Sequence, residues 1–249
     1  MRYLRFTLIL LLSVMILAAC MPGIETPAER PDFEVITLQI TPALAHWLPE
    51  VAACAGALDY FGVQTQVLPR IHLNLTDADL LLRLGPRMDT DPHVAVMGYE
   101  EIVVFTGEDV PLDSLSLESL RAIYTGKITR WEEVPEVIEQ NLEINQRITT
   151  FAYPEEHEIR TLFESTFLDQ QPIESNPQLY TTMPFLGSLL EEDPYAVGFG
   201  LLSQMPGGSQ RLMITDENGF SGQQFVLAVT PEEPGGNLLQ LLLCLQTAQ

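Results

Sequence analysis

The densest group of side chains able to do chemistry is Glu155-Glu156-His157-Glu158, three carboxylates and an imidazole at consecutive positions. Carboxylates with an imidazole serve as ligands for divalent metals and as the acid and base of proton-transfer catalysis. Their spacing argues against both roles. On a helix, successive side chains fan around the axis, so only Glu155 and Glu158 share a face while His157 points elsewhere, and the ligands of a metal do not converge. In a chain with 34 acidic residues, paired carboxylates are too common for any one pair to mark a catalytic centre. His46, His72 and His93 have no partners at ligand spacing and read as surface or satisfied core residues. There is no Gly-x-Ser-x-Gly elbow, no Gly-x-x-x-x-Gly-Lys loop and no His-Glu-x-x-His helix. The residues therefore predict no enzyme, no metal and no cofactor, and the glutamates read first as charges complementing the dipole of a first helical turn.

One cysteine has a chemistry of its own. Arg2 and Arg5 precede the apolar run Phe6 to Ile16, and Leu17-Ala18-Ala19-Cys20 forms a lipobox. The run is too short for a membrane span, which needs about 20 residues. Cleavage before Cys20 and acylation of its sulfur and amine leave the chain tethered to a cell membrane on the extracytoplasmic face. The reading is thus 1–19 as lipoprotein signal peptide and 20–32 as tether, the latter marked by Pro22, Gly23, Pro27 and Pro31. After cleavage 10 basic residues face 34 acidic ones, a formal charge of −24. Lys127 is the only lysine, and no basic stripe exists, which excludes nucleic acid and anionic lipid headgroups as partners.

The elements that must position any site alternate between strand and helix. Glu34 to Ile40 alternates as a strand, and Thr41-Pro42 supplies an N-cap and first position for a helix carrying Leu44, Trp47, Leu48, Val51 and Leu58, bent or divided at Pro49. Gln64 to Pro69 is a strand, Thr76 to Arg83 a short helix or strand, and Ile102 to Thr106 a β-rich run. In Leu115 to Val134, Ser116 caps a helix with Leu117, Leu120, Ile123 and Tyr124 on one stripe, Gly126 ends it, and Ile128 and Trp131 fold back as apolar anchors. There follow a strand at Ile148 to Tyr153, helices at Glu155 to Leu168 and Phe185 to Glu191, and a strand at Ala196 to Leu202. Strands at Arg211 to Ile214 and Phe225 to Val229 flank an Asn218-Gly219 turn, and Leu238 to Leu245 reads as a buried helix. The alternation predicts an α/β architecture with mainly parallel pairing.

The stretch Leu115 to Val134, LSLESLRAIYTGKITRWEEV, closely resembles the corresponding block of phosphate-type solute-binding proteins, the extracytoplasmic receptors of ABC importers. Weaker resemblance runs from Ile36 to Leu245, with its better blocks at Glu101 to Val134, Arg160 to Phe167 and Ala196 to Leu202. It implies a two-lobed, periplasmic-binding-protein-like (type 2) α/β fold, with lobe 1 from 33–103 plus 223–249 and lobe 2 from 104–222. A small polar solute such as an oxyanion would bind in the cleft of a monomer, and closure would present the loaded receptor to an ABC permease. Cys54 and Cys244 are the thiols left once Cys20 is lipidated, and read alone they are either a disulfide or two buried thiols. The implied fold brings the chain ends into one lobe and favours the disulfide.

Receptors of this family hold the anion with hydroxyls and with backbone N–H groups at helix N-termini. By resemblance the ligand-binding candidates are Thr41, Ala43, Tyr99, Tyr153, His157 and Arg160, with His46 and Trp47 near the mouth. Where the family has a Gly-Ser-Thr-like turn, this chain has Ile40-Thr41-Pro42-Ala43. Where the family has an arginine and a Gly-Ser-Gly-Thr-Arg loop, it has Tyr153, then Glu156 to Ile159, then Arg160. The glutamates stand in the electrostatic role of the anion. At about 7 Å and an effective dielectric of ~20, each opposes a bound negative charge by roughly 2 kcal/mol. Two would weaken anion binding by about three decades. The expectation is a solute-binding protein whose ligand is altered from phosphate; the alternative is a binding-incompetent relative acting as a surface sensor or scaffold, its cleft filled by its own side chains.

Overall fold

The computed structural model describes residues 32–216 and 219–247. The expected signal segment 1–19, Cys20 and all of the 20–32 tether but Asp32 lie outside the described residues, as does Asn218 of the expected turn. In chain order the described strands are β1 (Glu34–Ile40), β2 (Phe61–Val67), β3 (Leu80–Leu84), β4 (His93–Gly107), β5 (Ser114–Ser116), β6 (Phe151–Ala152), β7 (Gln178–Leu179), β8 (Val197–Leu201), β9 (Ser209–Thr215) and β10 (Gln223–Thr230). The helices are α1 (Leu48–Gly56), α2 (Leu117–Tyr124), α3 (Pro135–Glu139), α4 (Glu158–Phe167), α5 (Met183–Glu192) and α6 (Gly236–Thr247).

Apolar alternation starts the fold: Ile36, Leu38 and Ile40 lie on one face of β1 and are buried. β1 runs parallel to both β2 and β3. Between β1 and β2 the chain makes a 3-10 turn, Pro42–Trp47, then α1, with Pro49 in its first turn where the missing N–H breaks no intrahelical bond. The stretch legible as helix or strand becomes β3, buried at every position.

The strand order is β2-β1-β3-β10-β4-β9-β5, with β8 also paired to β4. β4, fifteen residues long, changes partners along its length. From His93 to Glu101 it pairs with β10, and from Ile102 to Gly107 with β8 and β9. This strand makes the fold two-lobed, since one end belongs to the β1–β3 side and the other to the β8–β9 side. The pairing corrects the expectation of a mainly parallel sheet. β4 leaves the first side and β10 returns to it, so the two run in opposite directions and every contact of β4 and β10 is antiparallel.

Local signals hold well in α2. Ser116 caps it, its hydroxyl accepting from Ser119 N at 3.1 Å, and Leu117, Leu120, Ile123 and Tyr124 are buried. Gly126, at φ +74, ends the helix in a conformation that suits glycine. Trp131 is buried and donates its indole N–H to Tyr195 O at 2.7 Å. Two helices differ from expectation. α4 starts at Glu158, three positions later than Glu155, because His157 serves as its N-cap. α6 is not buried on all faces: Leu241, Leu242 and Leu245 face inward, while Leu239 and Leu243 are 40% and 52% exposed, as a helix lying on the outside of a sheet requires. Cys244 of α6 is disulfide-bonded to Cys54 of α1, closing a loop of sequence separation 190.

Candidate functional site

Thr41 closes β1 and is buried. Its hydroxyl does not cap the 3-10 turn it precedes. It donates instead to Glu158 Oε2 at 2.6 Å, across 117 residues of sequence. Glu158 opens α4 and is buried, and its second oxygen, Oε1, accepts from Arg70 Nη1 at 3.3 Å. Arg70 also donates to Leu84 O at 2.7 Å. It can lie there because Gly85, at φ +99, has no side chain: a Cβ would stand 2.9 Å from Arg70 Nη1. Burial pushes the Glu158 carboxyl above the ordinary carboxylate range, while the Thr41 hydrogen bond and the Arg70 charge pull it back. Behind this group Arg83 is buried and ion-paired with Asp91, which also accepts from Met88 N at 2.7 Å.

The loop before α4 is stacked rather than anion-binding. Tyr153 is buried, its ring 4.0 Å from that of His157 and nearly parallel to it, and its hydroxyl donates to Met183 Sδ at 3.1 Å. Burial pushes the His157 imidazole down to about 4, so it is neutral near pH 7, and its Nδ1 accepts from Ile159 N at 3.3 Å. Arg160 turns along its own helix, donating to Glu164 Oε1 at 2.9 Å and Tyr153 O at 3.2 Å. Glu155, 88% exposed, reaches it only at 3.9 Å. At the mouth a cavity of about 180 Å³ is lined by Pro42, Pro69, Pro154, Glu156, His157 and Glu158.

A second polar tie joins the same two sides. His46 Nε2 donates to Glu100 Oε1 at 2.9 Å, and Ser203 Oγ donates to Glu100 Oε2 at 2.7 Å. Gln204 Nε2 contacts His46 Nδ1 at 2.7 Å and Ala43 O at 3.2 Å. Burial works against the Glu100 charge, but the His46 and Ser203 hydrogen bonds outweigh it and hold its carboxyl below the usual range.

Of the candidates from sequence, Thr41 and His157 flank Glu158, Tyr153 stacks on His157, and Arg160 bonds to the Tyr153 carbonyl. Ala43 contributes its carbonyl to the His46 and Gln204 tie. Tyr99 lies apart, 61% exposed and tilted against Phe225 with ring centroids 5.2 Å apart. Trp47 is core. Arg70 and Gln204 escaped the sequence reading, since their partners lie 88 and 158 residues away and no local pattern marks them. Glu158 was visible as part of an acidic run, but its aim at Thr41 depends on the later start of α4. Among the described residues no three His, Cys, Asp or Glu side chains converge as metal ligands, and no helix is long and apolar enough to cross a membrane.

Residues 85–204 match the family model of a PBP superfamily domain. No curated protein matches the sequence. Among solved structures, the chain is similar to an ABC-type phosphate transport receptor from Vibrio cholerae (14% identity, 85% of this chain and 93% of that one covered, TM-score 0.67). It is also similar to a structure from Clostridium perfringens described as a phosphate ABC transporter substrate-binding protein with bound phosphate (16% identity, 85% and 92% covered, TM-score 0.64). An OxyR cysteine mutant from Corynebacterium glutamicum shares the fold as well (12% identity, 88% and 65% covered, TM-score 0.60). At such identities the likeness speaks for the fold, which serves both transport receptors and regulatory domains. The chain has the two-lobed, type 2 periplasmic-binding-protein-like fold, and over residues 85–204 it matches the PBP superfamily.

Proposed function

We propose that this chain is a lipid-anchored, extracytoplasmic solute-binding protein whose ligand is a small polar solute other than free phosphate. The observation that carries this reading is the Glu158 carboxylate 2.6 Å from the Thr41 hydroxyl, the group to which an anion would bind by resemblance. A phosphate arriving there would meet a negative charge in contact range. Tyr153, in place of an arginine, offers a stacked ring rather than a charge. The space left at the mouth suits an uncharged or cationic solute, since Glu156 and Glu158 face it among three prolines. The same proposal sets the lobes at 33–103 plus 223–249 and at 104–222, supported by the change of partners along β4 between Glu101 and Ile102, two residues before the proposed boundary. Lipid attachment at Cys20, a monomeric state and delivery to an ABC permease belong to the same proposal.

A second reading, a surface sensor or scaffold without a solute, is favoured by the small cavity beside Glu158, about 180 Å³ against the 300 Å³ or more typical of ligand sites; the larger hollow of about 650 Å³ beside Glu155, Glu156 and Arg160 leaves room for the receptor reading. Calorimetric titration of the full chain in mild detergent separates the readings. Phosphate should give no heat, and one member of a panel of neutral and cationic polar solutes should give saturable heat. Silence across the panel would move the assignment to the scaffold, and micromolar phosphate binding would refute the exclusion of phosphate.

A further inference from the structure

Thr41, Arg70 and Glu158 come from three separate segments and meet at one carboxylate. Thr41 follows β1, Arg70 follows β2, and Glu158 opens α4, which packs against β8 on the other side of the molecule. Thr41 spends its hydroxyl on Glu158 rather than on its own turn. Gly85 keeps the space through which Arg70 arrives. Behind them Arg83 donates Nη1 to Pro86 O at 3.0 Å and is paired with Asp91, yet its buried Nε has no hydrogen-bond partner. A hydroxyl and a guanidinium meeting one carboxylate, one donor to each oxygen, with a second guanidinium behind, form a donor set suited to a carboxylate or phosphate.

We infer that Glu158 is a built-in ligand: its carboxylate occupies an oxyanion seat that the chain retains in Thr41 and Arg70, so the carboxylate itself ties the two sides of the cleft together. The carboxylate belongs to one side and its donors to the other, so the contact does what a bound anion does in holding two lobes together. Being tethered, it competes with free anions at an effective concentration on the order of millimolar or higher. The inference rests on reading the cleft as that of a solute receptor, and it adds that the seat is intact beneath its occupant.

The test is Glu158→Ala in the full chain, with inorganic phosphate and acetate as probes, read by calorimetry and by anion-dependent thermal stability. Removing one carboxylate from the seat is expected to tighten phosphate binding at least about thirtyfold relative to wild type. Should E158A not fold in anion-free buffer, added phosphate or acetate is expected to restore cooperative unfolding in a saturable way. The double variant R70A/E158A should lose either gain. A folded E158A that binds neither anion, an unfolded E158A that neither anion rescues, or an R70A/E158A that responds as strongly as E158A would each overturn the inference. If E158A is silent while wild type binds a panel solute, the inference falls and the receptor reading stands. If E158A binds phosphate while wild type ignores the whole panel, the inference holds and the scaffold reading replaces the receptor.

Discussion

Arg70→Ala is the perturbation whose cost is most directly set by the cleft. It leaves the buried Glu158 carboxylate with the Thr41 hydroxyl but without its cationic partner. Removing one partner of a fully buried ion pair costs about 3–5 kcal/mol. Two features lower that figure: the contact is 3.3 Å long, and the Arg70 side chain is 21% exposed, so solvent screens part of the charge. About 2 kcal/mol is the expected loss, including that of the donor to Leu84 O. With a urea slope of about 3 kcal/mol per M, this shifts the unfolding midpoint by roughly 0.7 M. Urea unfolding of wild type, R70A, E158Q and R70A/E158Q gives the full cycle. Once residue 158 is a neutral glutamine, loss of Arg70 should cost under about 1 kcal/mol, leaving a coupling near 1 kcal/mol or more. Additivity within about 0.5 kcal/mol would mean that Arg70 and Glu158 do not act as a buried pair, and the reasoning about the seat would fail with it.

Reduction of Cys54–Cys244 releases a loop of separation 190, for which the chain-entropy model gives about 5 kcal/mol; denaturant unfolding with and without reductant should show a loss of several kcal/mol, and an unchanged midpoint would contradict the structural role of the bridge. His157 makes stability fall as pH drops from about 6.5 towards 4, because in that window the unfolded imidazole takes up a proton that the buried one refuses. Glu158 acts in the opposite sense, its raised value costing stability as pH rises above the ordinary carboxylate range. H157F, which keeps the stack on Tyr153, should therefore remove the His157 part of the slope in pH-dependent urea unfolding; a profile identical to wild type would show that His157 is not the neutral buried cap described here.

Local chemistry was legible in the sequence and long-range chemistry was not. The cap at Ser116, the stripe of α2 and the stop at Gly126 each depend on neighbours within one or two turns, and each is present. That Glu136 accepts from Ser116 N at 2.8 Å and Ser119 Oγ at 2.8 Å could not be read, because it depends on how α3 docks. β4 shows the same limit: Gly98 and the bulge beside it, where Met97 has no partner on β10, interrupt the pattern, and only pairing with three strands makes a single fifteen-residue element of it. The cysteine count alone left the pairing open, and the docking of α6 beside α1 brings the two sulfurs together. At the site, the acidic run was plain, but its meaning turned on where α4 begins. With the helix starting at Glu155 the charges would merely face its dipole; with His157 as cap, Glu158 alone is carried to Thr41. Arg70 and Gly85 had no signal, since one opens a three-residue 3-10 turn whose partners are distant in sequence and the other matters for its positive φ and the space it leaves.

The occupancy of the Thr41–Arg70 seat can be seen in a crystal structure of the wild-type chain grown from phosphate. The Glu158 carboxylate should be hydrogen-bonded to the Thr41 hydroxyl, at 2.6 Å in the structure described above, with no anion between them. Phosphate bound to Thr41 and Arg70, with Glu158 turned out to solvent, would contradict that placement.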